Sequence, residues 1–165
     1  VALLGSDIVV KPLTGHSGEK VIRCTGHDEI SRAIAKSSDV DDVRIVQPFV
    51  PDTGGRDIRV IVIDGHIAAA FMRIAAPGEF RSNTALGGSL EAFQPDDDVR
   101  ALAVSAASAC GLEIAGVDIL ESPMLGGRIV CEVNTNCGVS ARMKEISGVD
   151  VAAAMADYVG KQAAL

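Results

Sequence analysis

The segment 57–74 constrains this chain more than any other. Asp57 to Ile63 alternates, Asp64-Gly65 interrupts, and His66 to Ile74 returns. Two alternating runs around an Asp-Gly pair form an antiparallel hairpin, because both central turn residues need positive φ and these two tolerate it. Counting outward from Asp64-Gly65 places Arg59 opposite Ala70, with Arg73 a few residues further along the returning strand. Antiparallel sheet is therefore the framework into which every other element must fit.

The flanking segments supply more strands and three helices. Asp7 to Lys11 is a β-branched run stopped by Pro12, and Val21 to Cys24 resumes extended character. Gly15 and Gly18 lie between them, which predicts a hairpin with a long flexible tip. Thr25 to Glu29 opens a helix in which Ile30, Ala33 and Ile34 keep helical spacing, ending near Ser37-Ser38. An apolar run from Val43 to Val50 closes in Pro51-Asp52-Thr53-Gly54-Gly55. Past the central hairpin, Glu79 to Ser89 is polar and glycine-rich and has neither periodicity. Gln94 to Asp98 starts a second helix with its acids at the positive end of the dipole, and Gly111 stops it. Glu113 to Glu121 and Arg128 to Asn134 read as paired strands, and an Ala-rich helix runs from the cap Asp150 to Leu165. Strand pairs interrupted by helices define an α+β fold of antiparallel sheets, not a doubly wound parallel one. The Gly54-Gly55 loop is the candidate boundary between a small lobe, 1–50, and a large lobe, 51–165.

Composition narrows the function. The chain has 165 residues, 48% of them hydrophobic and 22% charged, enough for a core without disulfide or metal staples. Aromatic residues are only 3%, which argues against function by stacking on bases or sugars. A net charge of −7 repels a phosphate backbone, so no nucleic-acid partner is expected. No apolar run approaches the roughly 20 residues of a membrane span, and no basic stretch precedes Val1-Ala2-Leu3-Leu4, so no membrane partner is expected either. Cys24, Cys110, Cys131 and Cys137 form no CxxC pair. They are expected to be reduced and packed as small apolar residues, which points to the cytoplasm. His16, His27 and His66 are scattered outside metal-ligand spacing and are expected to face solvent.

Four sets of residues have the chemistry of a site. Glu132 and Asn134 are two apart on one strand and so share a face, and Asp118 can face them from the neighbouring strand. Two carboxylates and an amide oxygen make an all-oxygen set suited to magnesium bridging phosphates. An ordinary polar strand face is the competing reading. Arg56, Arg59, Arg73 and Arg81 fall within 26 residues, where guanidinium forks bind carboxylate or phosphate, or else lie as solvated surface charge. The loop Thr14-Gly15-His16-Ser17-Gly18 can lay backbone N–H groups on phosphate oxygens, with Lys11 in reach, although a plain hairpin tip has the same composition. No Gly-Lys-Ser/Thr follows, so it is not a P-loop.

Taken in order, these strings resemble the ATP-grasp ligases, most closely the RimK-like α-L-glutamate ligases. The resemblance rests on Val9-Val10-Lys11-Pro12, Gly15-His16-Ser17-Gly18, Gln47-Pro48-Phe49-Val50 and Asp57-Ile58-Arg59-Val60. It continues through Arg73, Phe80-Arg81-Ser82-Asn83, Gly87-Gly88, Ala115-Gly116-Val117-Asp118-Ile119-Leu120, Glu132-Val133-Asn134 and Gly148-Val149-Asp150, nearly the whole chain. It implies an ATP-grasp fold with the ATP cleft between two lobes, the small lobe here being incomplete. Lys11, Gly15, Ser17 and Gly18 would contact ATP phosphates, Gln47, Pro48, Phe49 and Val50 would form the adenine hinge, and Asp57 would hold the ribose. Asp118, Glu132 and Asn134 would bind two magnesium ions, with manganese as the alternative metal. Arg59, Arg73 and Arg81, with Ser82 and Asn83, would act on the transferring phosphate and the acyl-phosphate.

The implied activity is ATP-dependent carboxylate–amine ligation, with glutamate added to a peptide, protein or small-molecule acceptor. The alternative is a degenerate ATP-grasp module that binds nucleotide in a regulatory or interaction role. The resemblance also implies homo-oligomers, although no interface is marked in the sequence. Three departures from the family pattern bear on substrate more than on reaction class. Lys20 stands where a third loop glycine is usual, Pro48 cannot donate an N–H, and Asn136-Cys137-Gly138 follows the Glu-x-Asn motif. Without an initiator Met, the chain is expected to be the C-terminal part of a longer enzyme. By itself it is expected to fold in its large lobe, bind ATP weakly and lack activity.

Overall fold

The computed structural model describes residues 4–15, 18–35 and 43–164. Contacts divide the chain into two compact units, Val1–Pro51 and Asp52–Leu165.

In the first unit, β1 (Asp7–Pro12) pairs antiparallel with β2 (Ile22–Thr25) on one side and β3 (Arg44–Pro48) on the other. Helix α1 (His27–Ala35) covers one face. Alternation along β1 sends Ile8 and Val10 to that face, where they pack with Cys24, Ile30 and Ala33. Pro12 closes β1 at its pairing with Arg44, a strand-end position that tolerates a missing N–H. The end of α1 expected near Ser37-Ser38 lies outside the described residues.

The second unit is a five-stranded antiparallel sheet in the order β6-β5-β4-β7-β8. Its strands are β4 (Arg56–Ile63), β5 (His66–Ile74), β6 (Ser89–Ala92), β7 (Ile114–Ser122) and β8 (Gly127–Asn134). Asp64 and Gly65 make the expected tight turn with φ of 53° and 71°. One face carries Ile58, Val60, Val62, Met72, Val117 and Ile119 against Val99, Ala103 and Ala107 of α2 (Asp97–Ala109). Asp96 caps that helix by accepting from the Val99 N–H at 3.0 Å, and Gly111 ends it as expected, in left-handed backbone at φ 66° directly after the C-cap Cys110. The opposite face carries Ile61, Ala69 and Phe71 against Cys137, Met143 of α3 (Ala141–Ser147), and Val151 and Tyr158 of α4 (Val151–Ala163). Asp150 caps α4 through the Ala153 N–H at 3.0 Å.

The hairpin register differs from the count outward from the turn. Ile63 pairs with His66 and Val62 with Ile67, but a bulge between Ile61 and Val62 then pairs Arg59 with Phe71 and Asp57 with Arg73. The extra residue on β5 is Ala68, and it turns every later side chain of that strand to the other face. Arg59 therefore faces Phe71 rather than Ala70, and Arg73 joins its face. Two elements lie where the sequence has no expected periodicity, the short edge strand β6 and the seven-residue helix α3. Cys24 and Cys137 are buried as expected, whereas Cys110 is exposed and Cys131 half-buried. His27 and His66 face solvent, and His16 lies outside the described residues.

The loop after β5 folds back on its own strand so tightly that Gly88 has no room for a side chain. A Cβ there meets the carbonyl oxygens of Ser82 at 2.6 Å, Ile74 at 2.9 Å and Asn83 at 3.0 Å. Gly160, inside α4, has nothing within 4 Å. Gly88→Ala is therefore expected to destabilise the chain by about 2 kcal/mol through overpacking. Gly160→Ala is expected to stabilise it by about 0.5–1 kcal/mol through helix propensity. Urea unfolding midpoints moving in opposite directions check both.

Candidate active site

Beyond Ile61 and Phe71, the sheet face that packs on α3 and α4 turns from apolar to charged. Asp57 and Arg59 on β4, Arg73 on β5, and Gly116 and Asp118 on β7 share that face, since Asp57 pairs with Arg73 and Arg59 with Asp118. A second bulge, between Asp118 and Ile119, pairs Asp118 with Glu132 and Gly116 with Asn134. Cys131 is the inserted residue, and without it Glu132 and Asn134 would point away from Asp118.

The buried charges form one hydrogen-bonded chain. Arg59 Nε and Nη2 both donate to the Asp118 carboxylate, Nη2 to Oδ2 at 3.0 Å. Arg59 Nη1 donates to the Cys137 carbonyl at 3.0 Å. Arg73 Nη2 lies 2.7 Å from Asp118 Oδ2. Arg73 also makes a fork onto Asp57, with Nε to Oδ1 and Nη2 to Oδ2 both at 2.6 Å. Ser82 Oγ donates to the same Asp57 Oδ2 at 2.6 Å. Only 2% of Asp118, 8% of Arg73 and 9% of Asp57 remains exposed, so the pairs work in a low dielectric where close geometry is required. Burial pushes the Asp118 carboxyl up to about 6 against the pull of Arg73 and Arg59. Burial opposes the Arg73 charge, but the Asp57 hydrogen bonds and the Asp118 charge outweigh it and raise its pKa above the ordinary value.

Glu132 and Asn134 sit on the more open side of this chain, both half-buried. Asn134 Nδ2 donates to Glu132 Oε1 at 3.2 Å and to the Gly116 carbonyl at 3.4 Å, which leaves its Oδ1 among the acceptors of the site. A carboxylate has about four acceptor positions. Arg59 and Arg73 take three on Asp118, so Oδ1 keeps one. Oxygen atoms of Asp118, Glu132 and Asn134 thus fit magnesium. Among the described residues no group of three or more His, Cys, Asp or Glu is arranged to hold a metal. An ion at these three residues would complete its shell with water and phosphate, as magnesium does.

Arg81 lies in the loop after β5, where Glu79 holds it. Arg81 Nε donates to Glu79 Oε1 at 3.0 Å and Nη2 to Oε2 at 2.6 Å, while the Phe80 and Arg81 N–H groups bind Oε1 at 2.8 and 3.0 Å. Asn83 precedes a short 3₁₀ turn (Thr84–Leu86) without capping it through its side chain. In the first unit, Lys11 and Gln47 lie on the β1–β3 face away from α1, together with Arg23, which forks onto Asp7 at 2.9 and 2.7 Å and stacks 3.7 Å over the Phe49 ring. Pro48 ends β3, with Phe49 and Val50 following. Gly15 and Gly18 flank the loop whose Ser17 lies outside the described residues, and Lys20 occupies left-handed backbone at φ 57°.

Sequence reasoning did not single out three parts of this arrangement: the Cys137 carbonyl, Glu79, and Gly116. A Cβ on Gly116 would lie 2.9 Å from Arg59 Nη1 and 3.1 Å from the Cys137 Cα, so glycine is what admits the arginine. The available signals are Glu79 two residues before Arg81, and a glycine two before Asp118.

The site is thus a buried arginine–carboxylate chain on an antiparallel sheet beside a three-oxygen donor set, and comparison with known proteins gives the family. The profile of the RimK-like ATP-grasp domain matches residues 1–159, and the chain belongs to that family. A probable alpha-L-glutamate ligase of Aeromonas salmonicida is 39% identical over 155 residues, 94% of this chain and 51% of the relative. One of Thioalkalivibrio sulfidiphilus is 38% identical over 159 residues, 96% of this chain and 52% of the relative. The chain thus spans about half the length of these curated relatives. The RimK domain ATP-grasp protein of Sphaerobacter thermophilus superposes with a TM-score of 0.70 at 23% identity, over 95% of this chain and 54% of that one. The ATP-grasp ligase PsnB, complexed with a phosphomimetic variant of its minimal precursor, Mg and ADP, gives 0.66 at 24%, over 98% and 48%. These superpositions establish the ATP-grasp fold.

Glu79 supplies a pH signature for the Arg81 clasp. The Arg81 side chain, then the Arg81 and Phe80 N–H groups, hold the Glu79 carboxyl down at about 2 against an ordinary 4.5. A depressed carboxyl pKa contributes stability that is present above 4.5 and lost as pH falls toward about 2. A carbon-detected titration of Glu79 is expected to show its midpoint near 2, returning toward 4.5 in Arg81→Ala.

Proposed function

We propose that this chain is the phosphate- and metal-handling part of an ATP-dependent carboxylate–amine ligase. The observation that carries the reading is the convergence of the Arg59 fork and the Arg73 Nη2 contact on Asp118, with Glu132 and Asn134 beside them on the same sheet face. Membership of the RimK-like ATP-grasp family supports the reaction class, and the chain's similarity to probable alpha-L-glutamate ligases supports glutamate as the added amino acid. The acceptor is a peptide, protein or small-molecule carboxylate.

In the reaction, a carboxylate oxygen of the acceptor attacks the γ-phosphorus of ATP, the bond to the β–γ bridging oxygen breaks, and ADP leaves. The amine nitrogen then attacks the acyl carbon, phosphate departs with the C–O bond electrons, and the nitrogen loses a proton to give the amide. Phosphoryl transfer depends chiefly on positioning and charge neutralisation, so guanidinium groups fixed before substrate arrives are suited to it. Arg59 and Arg73 are held in this way, and Arg81 and Asn83 stand on the loop that follows β5. Two magnesium ions held by Asp118, Glu132 and Asn134, or manganese in their place, would neutralise phosphate charge. Lys11 and the Gly15–Gly18 loop with Ser17 serve the ATP phosphates, and Gln47 to Val50 serve the adenine, Pro48 through its carbonyl alone. Dimers or tetramers and a cytoplasmic location complete the proposal.

The test is Glu132→Ala in the full-length protein that carries this chain. Release of ADP in the presence of glutamate and a carboxylate acceptor is expected to fall by about 100-fold or more, with an unchanged melting temperature. Unchanged turnover at saturating magnesium would overturn the metal assignment. Wild-type protein that binds ATP yet releases no ADP with any acceptor would support a nucleotide-binding module instead.

A further inference from the structure

We infer that Arg23 is a specificity-determining residue for the nucleotide, a guanidinium plane on which the purine base of ATP stacks. The inference rests on the ligase reading above, in which Gln47 to Val50 serve the adenine, and deepens it. Arg23 belongs to none of the strings that carry the family resemblance. Its place follows from the register of the first unit's sheet. Ile8, Val10 and Cys24 turn toward α1, so Val9, Lys11, Arg23 and Gln47 turn to the opposite face. There Arg23 and Gln47 flank Val9, one from β2 and one from β3, and Lys11 stands two residues further along β1. Val9 is half-buried, and it lies between a planar cation and an amide with a lysine beyond. That makeup complements a nucleotide: a flat apolar patch for a base, a few polar groups to orient it, and a cation for phosphate.

The contacts of Arg23 fix its plane and leave one side of it open. Nε donates to Asp7 Oδ1 at 2.9 Å and Nη2 to Oδ2 at 2.7 Å, a fork that sets the guanidinium plane as well as its position. The plane lies over the Phe49 ring, 3.7 Å from its centroid. Phe49 is held in turn, because its N–H donates to the Asp7 carbonyl at 3.0 Å. Asp7 therefore sets both halves of the stack, the ring through its backbone and the guanidinium through its carboxylate. Phe49 covers one side of the plane, 38% of the Arg23 side chain stays exposed, and the second side can receive a base. Asp7 also decides what the guanidinium offers. A carboxylate at 2.7 Å offsets its charge, so Arg23 is poorly suited to a phosphate, which Lys11 on the same face can serve. The plane itself still stacks, since a guanidinium is delocalised and weakly hydrated. Aromatic residues are only 3% of the chain, and an arginine backed by Phe49 takes the place of a second ring. Stacking grows with the area of the base, so a purine gains more from it than a pyrimidine.

The test is equilibrium binding of ATP, AMP and CTP to the full-length protein, which needs no turnover. Arg23→Met keeps the bulk of the side chain and removes the plane. It is expected to weaken ATP by about tenfold and AMP by the same factor, the loss of one stacking contact, and CTP by less than about threefold. Arg23→Lys keeps the charge without the plane and is expected to lose as much as Arg23→Met. Asp7→Asn, which loosens the fork, is expected to weaken ATP by a smaller factor in the same direction. In wild type the Arg23 Nε–H resonance is expected to move upfield as AMP is added, under the ring current of the base, and this readout involves no variant. A resonance that does not move would overturn the inference, as would ATP affinity unchanged or raised in Arg23→Met. A loss larger for ATP than for AMP, and restored by lysine, would assign Arg23 to the phosphates and overturn it too. Binding that follows the expected ratios without ADP release would support the inference and count against the ligase reading. ADP release with ATP affinity indifferent to Arg23→Met would do the reverse, and a wild type that binds no ATP would overturn both.

Discussion

Asp118 is a carboxylate withdrawn from water, and withdrawing a charge costs several kcal/mol unless close opposite charges offset it. Arg59 and Arg73 supply that offset, and Arg73 is in turn buried and needs Asp57. Cation and anion therefore alternate along Arg59, Asp118, Arg73 and Asp57, two of each sign, with the Cys137 carbonyl and Ser82 hydroxyl at the ends. Removing any charged member leaves a neighbour buried with an uncompensated charge. The network thus specifies the sheet around it: displacing β4 by one residue would turn two charges, and displacing β5 or β7 one charge, onto the aliphatic face beneath α2.

Two inserted residues bring the network together. Ala68 on β5 and Cys131 on β8 each shift a pairing by one, and each places a charged residue on the face of its partner. The Asp64-Gly65 turn is legible because it needs positive φ at two adjacent positions, and few residue pairs provide that. The bulge beyond it is not. Ala68, Ala69 and Ala70 are identical, so no local preference marks the one that goes unpaired. Ile129, Val130 and Cys131 are likewise three apolar residues in a row. The strands could be read from the sequence, but the register that makes the arginines converge is set by long-range ion pairing.

The same distinction runs through the rest of the molecule. Capped helices were legible where polarity and apolar spacing agree, as at Asp96 before α2 and Asp150 before α4. Helix α3 is only seven residues long with Met143 as its buried residue, too short for a period to show, although Ser140 caps it and Gly148 ends it at φ 72°. Strand β6 lies at the sheet edge with three of its four residues exposed, and its sequence has no reason to alternate. Motif order pointed to the family and to the candidate residues. It could not show that Asp57 faces Arg73 from 16 residues away, or that Asp52 binds Ser122 and the Met124 N–H across 70 and 72.

The five-stranded sheet divides its work between faces and then within one face. Under α2 it is apolar throughout, so that side bears the packing alone. On the other side each strand changes character within two residues: Ile61 to Arg59 on β4, and Phe71 to Arg73 on β5. Arg59 spans that border, with one nitrogen on the Cys137 carbonyl in the apolar region and two on Asp118. Gly116 makes the crossing feasible, because any side chain there would occupy the space of the guanidinium. The apolar half, backed by α3 and α4, thereby anchors the charged half, which would otherwise be exposed polar strand ends open to water. Arginines held at both ends cannot turn, and in the proposed phosphoryl transfer that rigidity would be useful, since charge placed in advance needs no reorganisation during a reaction. Glu132 and Asn134 stand beside this fixed network, half-buried on the outer strand β8.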